Sequence, residues 1–273
     1  VAARSHNARA VVTGAGSGIG RAFAIELARR GGYVICADID LSRAEETATR
    51  IGRAARAVPC DVANLDEVEA LAKTAEEWFT EPANLVVNNA GVGSGGHNVG
   101  DLPIEDWLWV LGANLWGVVH GCHVFTPRLR ALGHGGIINV GSAAGFAAFP
   151  QMSAYNVSKA GVLALSETLA AELSGTGIAV TVLAPTFVKT NVVRDGRIDN
   201  RAAGVAERLM AWTGMTAEAV VERTLNAHDH GRLHVVPQLH ARALWQLKRT
   251  LPTPYTRALG LGFRLADAAL RHI

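Results

Sequence analysis

Tyr155 and Lys159 stand four residues apart, and Ser142 lies thirteen residues before the tyrosine. Four residues is about one helical turn, so a helix puts the phenol and the ammonium on one face. A tyrosine with its ordinary pKa of about 10 is a poor base near neutral pH, and lowering that value to near 7 costs about 4 kcal/mol. A unit positive charge about 4 Å away supplies on the order of 4 kcal/mol at an effective dielectric of 20. One well-placed lysine therefore covers most of the cost. A serine hydroxyl could then hold a substrate oxygen while the tyrosine moves the proton. Alone, the pair is no more than what many surface helices carry, so its meaning depends on the rest of the chain.

A second set of residues could hold a phosphate. Thr13-Gly14-Ala15-Gly16-Ser17-Gly18-Ile19-Gly20 follows an apolar run and opens a helical stretch. Glycines let a backbone turn tightly and approach a pyrophosphate with no Cβ in the way. The helix start then offers free N–H groups and partial positive charge. No Gly-Lys-Ser/Thr follows, which argues against a triphosphate-binding loop. Asp38 ends the next apolar run, eighteen residues after Gly20. A carboxylate there accepts both ribose hydroxyls of an adenosine and repels a 2′-phosphate, which favours NAD over NADP. Ile39 follows it and Ser17 is uncharged, although Arg43 is close enough to keep NADP open. An ordinary strand-ending aspartate is the lesser reading.

These residues need elements to position them. Short β-rich runs recur at residues 10–13, 33–37, 57–60, 85–87, 136–140, 178–183 and 233–236. They are nearly continuous apolar stretches, as expected of strands buried on both faces of a parallel sheet. Amphipathic segments lie between them, including Arg21 to Arg30, Ser42 to Gly52, Leu65 to Phe79 and Ser158 to Leu173. Strand–helix alternation predicts an α/β fold: a doubly wound parallel sheet of about seven strands, with helices on both faces and ligands at the carboxyl ends of the strands. Residues 1–273 are expected to form a single domain, with 239–273 as its C-terminal helical extension. In that extension Leu239, Ala243, Leu247 and Leu251 form a helical stripe flanked by Arg242, Lys248 and Arg249, and Leu259 to Leu270 forms a second helix. It is expected to cover the substrate cleft or a subunit interface, a peripheral membrane contact being the lesser reading.

Composition agrees with an enzyme domain. Apolar residues make up 49% of the 273 and charged ones 18%, which permits a large core and argues against global disorder. A net charge of +2 without a basic block gives no footprint for nucleic acid, and the ten histidines lack metal-ligand spacing. Cys36, Cys60 and Cys122 are an odd number in apolar surroundings and read as buried free thiols of a reducing compartment. Val1 to Arg9 lacks the apolar run of a signal peptide, and no 18 consecutive residues are apolar, so a cytoplasmic location is expected.

Taken together, the motifs resemble the short-chain dehydrogenase/reductase family over about Ala10 to Pro237. The carriers are Thr13 to Gly20, Asn88-Asn89-Ala90-Gly91, Asn114, Ser142, Tyr155-x-x-x-Lys159, and Pro185 to Thr190. One departure is Thr186, where glycine is usual. The resemblance implies a Rossmann-type fold, a small-molecule alcohol or ketone substrate, and a homo-oligomer, dimer or tetramer. It implies Tyr155 as general acid/base, Lys159 as the group that lowers its pKa and binds the nicotinamide ribose, Ser142 as the substrate-orienting hydroxyl, and Asn114 as the holder of a relay water. It further implies that Gly14, Ser17, Gly18, Ile19 and Gly20 bind the pyrophosphate side. Asp38, Asp61, Val62, Asn88, Ala90 and Gly91 would take the adenosine side, and Pro185, Val188 and Thr190 the nicotinamide side. Residues alone say of Asn114 only that it is polar in a helix.

On the substrate side Gly145, Phe146, Phe149, Met152, Phe187 and the region Val192 to Trp212 are expected to face the ligand. Phe146, Phe149, Met152, Leu209, Met210 and Trp212 would make an apolar pocket for a lipophilic secondary alcohol or ketone; core or interface packing is the equal alternative. The rival functions are a non-catalytic NAD-binding regulator and an NADP-dependent carbonyl reductase. A sugar-nucleotide epimerase or dehydratase is disfavoured by the short chain and the glycine spacing.

Overall fold

The computed structural model describes residues 4–190 and 195–270. The elements are, in order, β1 (Arg9–Thr13), α1 (Gly18–Arg29), β2 (Tyr33–Asp38), α2 (Leu41–Ile51), β3 (Ala55–Pro59), α3 (Leu65–Phe79), β4 (Leu85–Asn88), β5 (Ser94–Gly95) and α4 (Ile104–Leu111). A π-helical turn (Gly112–Trp116) leads into α5 (Gly117–Leu132), β6 (Gly135–Val140), α6 (Ala144–Ala147), α7 (Ser153–Glu172) and β7 (Ile178–Leu183). Then come β8 (Arg197–Ile198), α8 (Asn200–Thr213), α9 (Ala217–Asp229), β9 (His234–Val235), α10 (Leu239–Thr250) and α11 (Pro252–Leu270).

Seven strands pair in the order β3-β2-β1-β4-β6-β7-β9, all parallel. The chain builds outward from β1 to β3, then returns to lay β4 against the other side of β1. That reversal opens a crevice at the carboxyl ends of β1 and β4, where open α/β sheets bind ligands. Side chains alternate between faces because the strand period is two. Val11 packs with Leu71, Val118, Phe125 and Leu129 on one side, while Ala10 and Val12 pack with Phe23, Leu27, Val221 and Leu225 on the other. Each fully buried Phe or Leu contributes about 1.5–3 kcal/mol, which is why both faces attract helices.

Element boundaries match the sequence reading where caps are local. Asn64 accepts from Asp66 N at 3.1 Å and starts α3 at Leu65, as expected. The helix after β6 begins at Ser153, earlier than the expected Ser158, and so encloses Tyr155. The two-stranded ribbon of β5 and β8, the short α4 and α6, and the π-helical turn carry no sequence signal and were not anticipated. The run Ile104–Leu132 is long and apolar enough to cross a membrane by length and composition alone. Its residues Val118, Val124, Phe125 and Leu129 are spent on the core instead.

The C-terminal extension packs through one face and leaves its apolar stripe at the surface. The Leu239, Ala243, Leu247 and Leu251 stripe faces outward, with Leu239 76% and Leu251 50% exposed. The packed face of α10 is Ala241, Leu244 and Trp245. Trp245 stacks on Phe146 with centroids 5.5 Å apart, and Tyr255 Oη donates to Ala147 O at 2.9 Å. The indole is the largest of these side chains, and its stacking on Phe146 anchors the helix in this orientation. Pro252 and Pro254 fall in the first turn of α11, where a missing N–H costs nothing, and they open that helix.

Candidate active site

The glycine turn between β1 and α1 closes on itself. Gly14 and Gly18 have φ of +63° and +50°, and a Cβ on Gly20 would lie 2.1 Å from Gly14 O. The turn is braced from several elements. Thr47 Oγ1 donates to Ala15 O at 2.9 Å, and Arg21 reaches Thr47, Glu46 and Gly16 O. Thr13 Oγ1 accepts from Asn89 N and Ala90 N at 3.0 and 3.1 Å, which ties the ends of β1 and β4 together. Arg21 and Thr47 escaped the sequence reading, since each acts from a helix with no motif of its own. Ser17 makes no side-chain cap, in contrast to Asp40, Asn64 and Thr216, which cap the helices they precede. The first amides of α1 are thus left to an anion, and a Cβ on Gly16 would lie 2.7 Å from Asp38 Oδ2. A cradle this close, with an acidic residue at its rim, fits a dinucleotide.

Asp38 is held by two backbone donors, Gly16 N at 2.8 Å to Oδ2 and Asp40 N at 3.0 Å to Oδ1. A carboxylate has about four acceptor sites, so capacity remains for ribose hydroxyls. Asp61 Oδ1 accepts from Ala63 N at 2.9 Å, and Val62 is buried against Gly117. Ala90 and Gly91 reach the surface of the crevice. The Asn88 amide does not: it is buried and donates to Asn139 Oδ1 at 2.9 Å, so it supports the strand ends from inside.

The helix α7 brings the acid/base candidates to the same edge. Lys159 is 4% exposed and donates from Nζ to Val140 O at 2.9 Å, with Nζ 5.8 Å from the Tyr155 ring centroid. Burial pushes the lysine down to about 8. Burial also raises the Tyr155 phenol above its ordinary value, with a hydrogen bond from Ser142 working against that rise. The lysine charge thus does not by itself deliver the acidic phenol that the four-residue spacing suggested. Ser142 Oγ also accepts from Ala144 N at 3.2 Å and contacts Pro185 O at 3.4 Å, so the hydroxyl is fixed between α6 and the loop after β7.

Asn114 lies in the π-helical turn and is fully buried. Its Oδ1 accepts from Val92 N at 2.7 Å, and its Nδ2 donates to Val92 O at 2.9 Å and Ser158 Oγ at 3.3 Å. A π-helical turn commonly marks a functional site. Here it aims one amide at the loop beyond β4 and at α7 together. A Cβ on Gly91 would lie 2.8 Å from Asn114 Oδ1 and 3.5 Å from Lys159 Nζ, so all three residues meet.

The loop after β7 completes the rim. Val188 is buried and bridges to Met215, and the Thr190 methyl would meet a Cβ on Gly18 at 3.0 Å. Thr186, the departure from the family pattern, is absorbed by the C-terminal segment: its N–H donates to Gln238 Oε1 at 3.2 Å and its Oγ1 pairs with His240 Nε2 at 3.0 Å.

The expected apolar pocket is only partly assembled. Phe146 is buried under Trp245, and Gly145 packs against the Lys159 backbone, where a Cβ would lie 2.7 Å from the carbonyl. Trp212 is 93% exposed and Met210 is buried. Phe149, Met152 and Phe187 are partly buried, and Phe149 packs against the cluster around Phe146. Val192 and the side chain of Leu209 lie outside the described residues. The three cysteines are buried and free, and burial pushes Cys36 and Cys60 up to about 12 and Cys122 to about 11, so they are inert thiols.

Comparison with known proteins places this geometry. Residues 8–201 match the family described as short chain dehydrogenase. The oxidoreductase EphD of Mycobacterium tuberculosis is 37% identical over 257 residues, covering 88% of this chain and 43% of that protein. The chain therefore spans less than half the length of that relative. Cyclohexanol dehydrogenase of Acinetobacter sp. is 33% identical over 193 residues, covering 70% of this chain and 76% of that enzyme. A short chain dehydrogenase/reductase from Burkholderia phymatum, solved in complex with NAD, superposes with a TM-score of 0.83 at 32% identity, covering 90% of this chain and 94% of its own. By motif, sheet order and sequence, the chain belongs to the short-chain dehydrogenase/reductase family of NAD(P)-dependent oxidoreductases.

Proposed function

We propose that the chain is an NAD-dependent dehydrogenase of a lipophilic secondary alcohol, or a reductase of the matching ketone, with Tyr155 as general acid/base. The observation that carries this reading is the meeting of Ser142, Tyr155 and Lys159 at the carboxyl edge of the sheet, beside the glycine cradle. Asp38, fixed at the cradle rim by Gly16 N, supports NAD as the cofactor. The partly buried Phe149, Met152 and Phe187 support an apolar substrate, as does the likeness to a cyclohexanol dehydrogenase.

A bound nicotinamide would supply the hydride acceptor or donor, and in its oxidised form would add positive charge to the site. The chain's own residues do the rest. Ser142 holds the substrate oxygen, and Tyr155 Oη takes or gives its proton. Lys159, donated to Val140 O and bordering Gly91, keeps an ammonium within reach of the phenol and the ribose. Asn114 fixes the loop that carries Gly91 and Val92 against α7. Residues Gly14, Ser17, Gly18, Ile19 and Gly20 would hold the pyrophosphate, Asp61, Val62, Ala90 and Gly91 the adenosine side, and Pro185, Val188 and Thr190 the carboxamide side.

The test is cofactor reduction by the purified protein with hydrophobic and small alcohols, NAD⁺ and NADP⁺ side by side. Turnover is expected with NAD⁺ and the apolar alcohols. Tyr155→Phe should lower kcat by about 10²–10⁴-fold, the span of general acid–base catalysis. A variant that turns over at the wild-type rate would remove Tyr155 from the chemistry.

A further inference from the structure

Arg43 stands in the first turn of α2, beside the carboxylate at the cradle rim. A Cβ built on Gly16 would lie 2.7 Å from both Arg43 Cβ and Asp38 Oδ2, so the three residues share one wall of the cradle. The guanidinium is committed elsewhere. Its Nε pairs with Asp40 Oδ2 at 3.2 Å, and its Nη1 donates to Asp195 Oδ2 at 2.9 Å. Asp195 is 152 residues away in the chain, in the connection between β7 and α8 that leaves the nicotinamide side. Three carboxylates, Asp38, Asp40 and Asp195, therefore surround one guanidinium.

A guanidinium fork is the usual partner of a phosphate, binding two oxygens at once. A cofactor with a 2′-phosphate would bring that group to the Asp38 wall, where Arg43 could offset the carboxylates. We propose that Asp195 is a specificity-determining residue for the cofactor: by holding the Arg43 guanidinium, it withholds that cation from a 2′-phosphate and selects the free 2′-hydroxyl of NAD. The inference rests on the dinucleotide reading above and deepens it. It moves part of the preference from Asp38, where strand-end chemistry puts it, to a residue distant in sequence.

The experiment measures binding, separately from turnover. Adenosine 5′-monophosphate and adenosine 2′,5′-bisphosphate are titrated calorimetrically into the wild type, Asp195→Asn, Arg43→Gln and the double variant. Asp195→Asn should raise the affinity for the bisphosphate relative to the monophosphate by about three- to fivefold, the size of one exposed ion pair. The gain should vanish in the double variant and shrink with added salt. The same variants should shift the NADP⁺-to-NAD⁺ ratio of kcat/KM in step. An unchanged ratio in Asp195→Asn, with monophosphate binding intact, overturns the inference and leaves the dinucleotide reading standing. A gain that persists without Arg43 also overturns it, since loss of a negative charge then explains everything. Failure of the wild type to bind either nucleotide removes the dinucleotide reading and this inference together.

Discussion

The two ends of β6 each press against a buried nitrogen base, and the protein treats them differently. At the carboxyl end Val140 O accepts from Lys159 Nζ. At the amino end Gly136 makes room for His228: a Cβ there would lie 2.2 Å from Nε2. Burial depresses both bases, Lys159 to about 8 and His228 to about 4. The histidine is sealed. Thr181 Oγ1 spends its proton on Arg232 O at 2.8 Å, so His228 Nδ1–H donates to Thr181 Oγ1 at 2.9 Å and Nε2 carries a bare lone pair with no partner. The lysine borders Gly91 at the open crevice and keeps donors to offer. The same desolvation cost thus fills a gap at one end of the strand and poises a charge at the other. A depressed pKa identifies a functional base only where the base can reach the crevice.

The largest effect should come from breaking the open end. Lys159→Met is expected to lower kcat by at least about 100-fold, because the proton-transfer site loses its cation. It should also make the fold more stable at pH 7. Lysine is charged in both folded and unfolded chains below pH 8, so the folded chain bears a constant desolvation cost of about 3 kcal/mol there. The orphaned Val140 carbonyl returns about 1–2 kcal/mol of that, for a net gain near 1–2 kcal/mol. As pH rises from 8 to 10.5 the folded lysine loses its proton first, the wild type gains stability, and the difference should fade. Urea unfolding at several pH values measures this. A wild type more stable than the variant at pH 7 would mean that the ammonium is well satisfied where it lies.

The sealed end should answer to acid. With the folded value near 4 and the unfolded near 6.5, neutral His228 adds no pH dependence above about 6.5. As pH falls from 6.5 to 4 the unfolded chain takes up a proton that the folded chain refuses, and up to about 3 kcal/mol of stability is lost. His228→Leu should show a flatter Tm profile over that window with kcat unchanged at pH 7. Equal slopes in the two proteins would mean that His228 protonates in place.

The contrast between local and distant signals also explains what the sequence made legible. The strands, the glycine turn and the shared helix of Tyr155 and Lys159 were readable because each depends on residues within one element or one turn. Asn88 was legible as a motif residue but not as one turned inward, since its partner Asn139 comes from another strand. The substrate side also depends on distant partners. Phe146 could line a pocket or pack in the core, and Trp245 arriving from α10 puts it in the core; the apolar stripe on α10 gives no sign that Ala241, Leu244 and Trp245 take the packed face. Periodicity finds apolar faces; it does not say which face meets a partner. Arg43 likewise reads as a loose cation beside Asp38 until Asp195 crosses to it.

The smallest effect tests whether that distant C-terminal segment positions the loop after β7, proposed above to hold the cofactor, or merely rests on it. Gln238 is 5% exposed and joins two backbone groups: Oε1 accepts from Thr186 N, and Nε2 donates to Phe187 O, both at 3.2 Å. Each bond is worth about 1 kcal/mol net. Gln238→Leu removes both and frees the stretch from Pro185 to Thr190 from α10. The cofactor KM is then expected to rise about five- to tenfold with kcat within about twofold, since the loop would bind before chemistry rather than take part in it. Gln238→Glu keeps the acceptor but sets a carboxylate oxygen against the Phe187 carbonyl, so it should raise KM at least as much. A drop in Tm with KM unmoved in both variants would make Gln238 a tether of the helix alone, and the loop after β7 would owe its shape to the Val188–Met215 bridge instead.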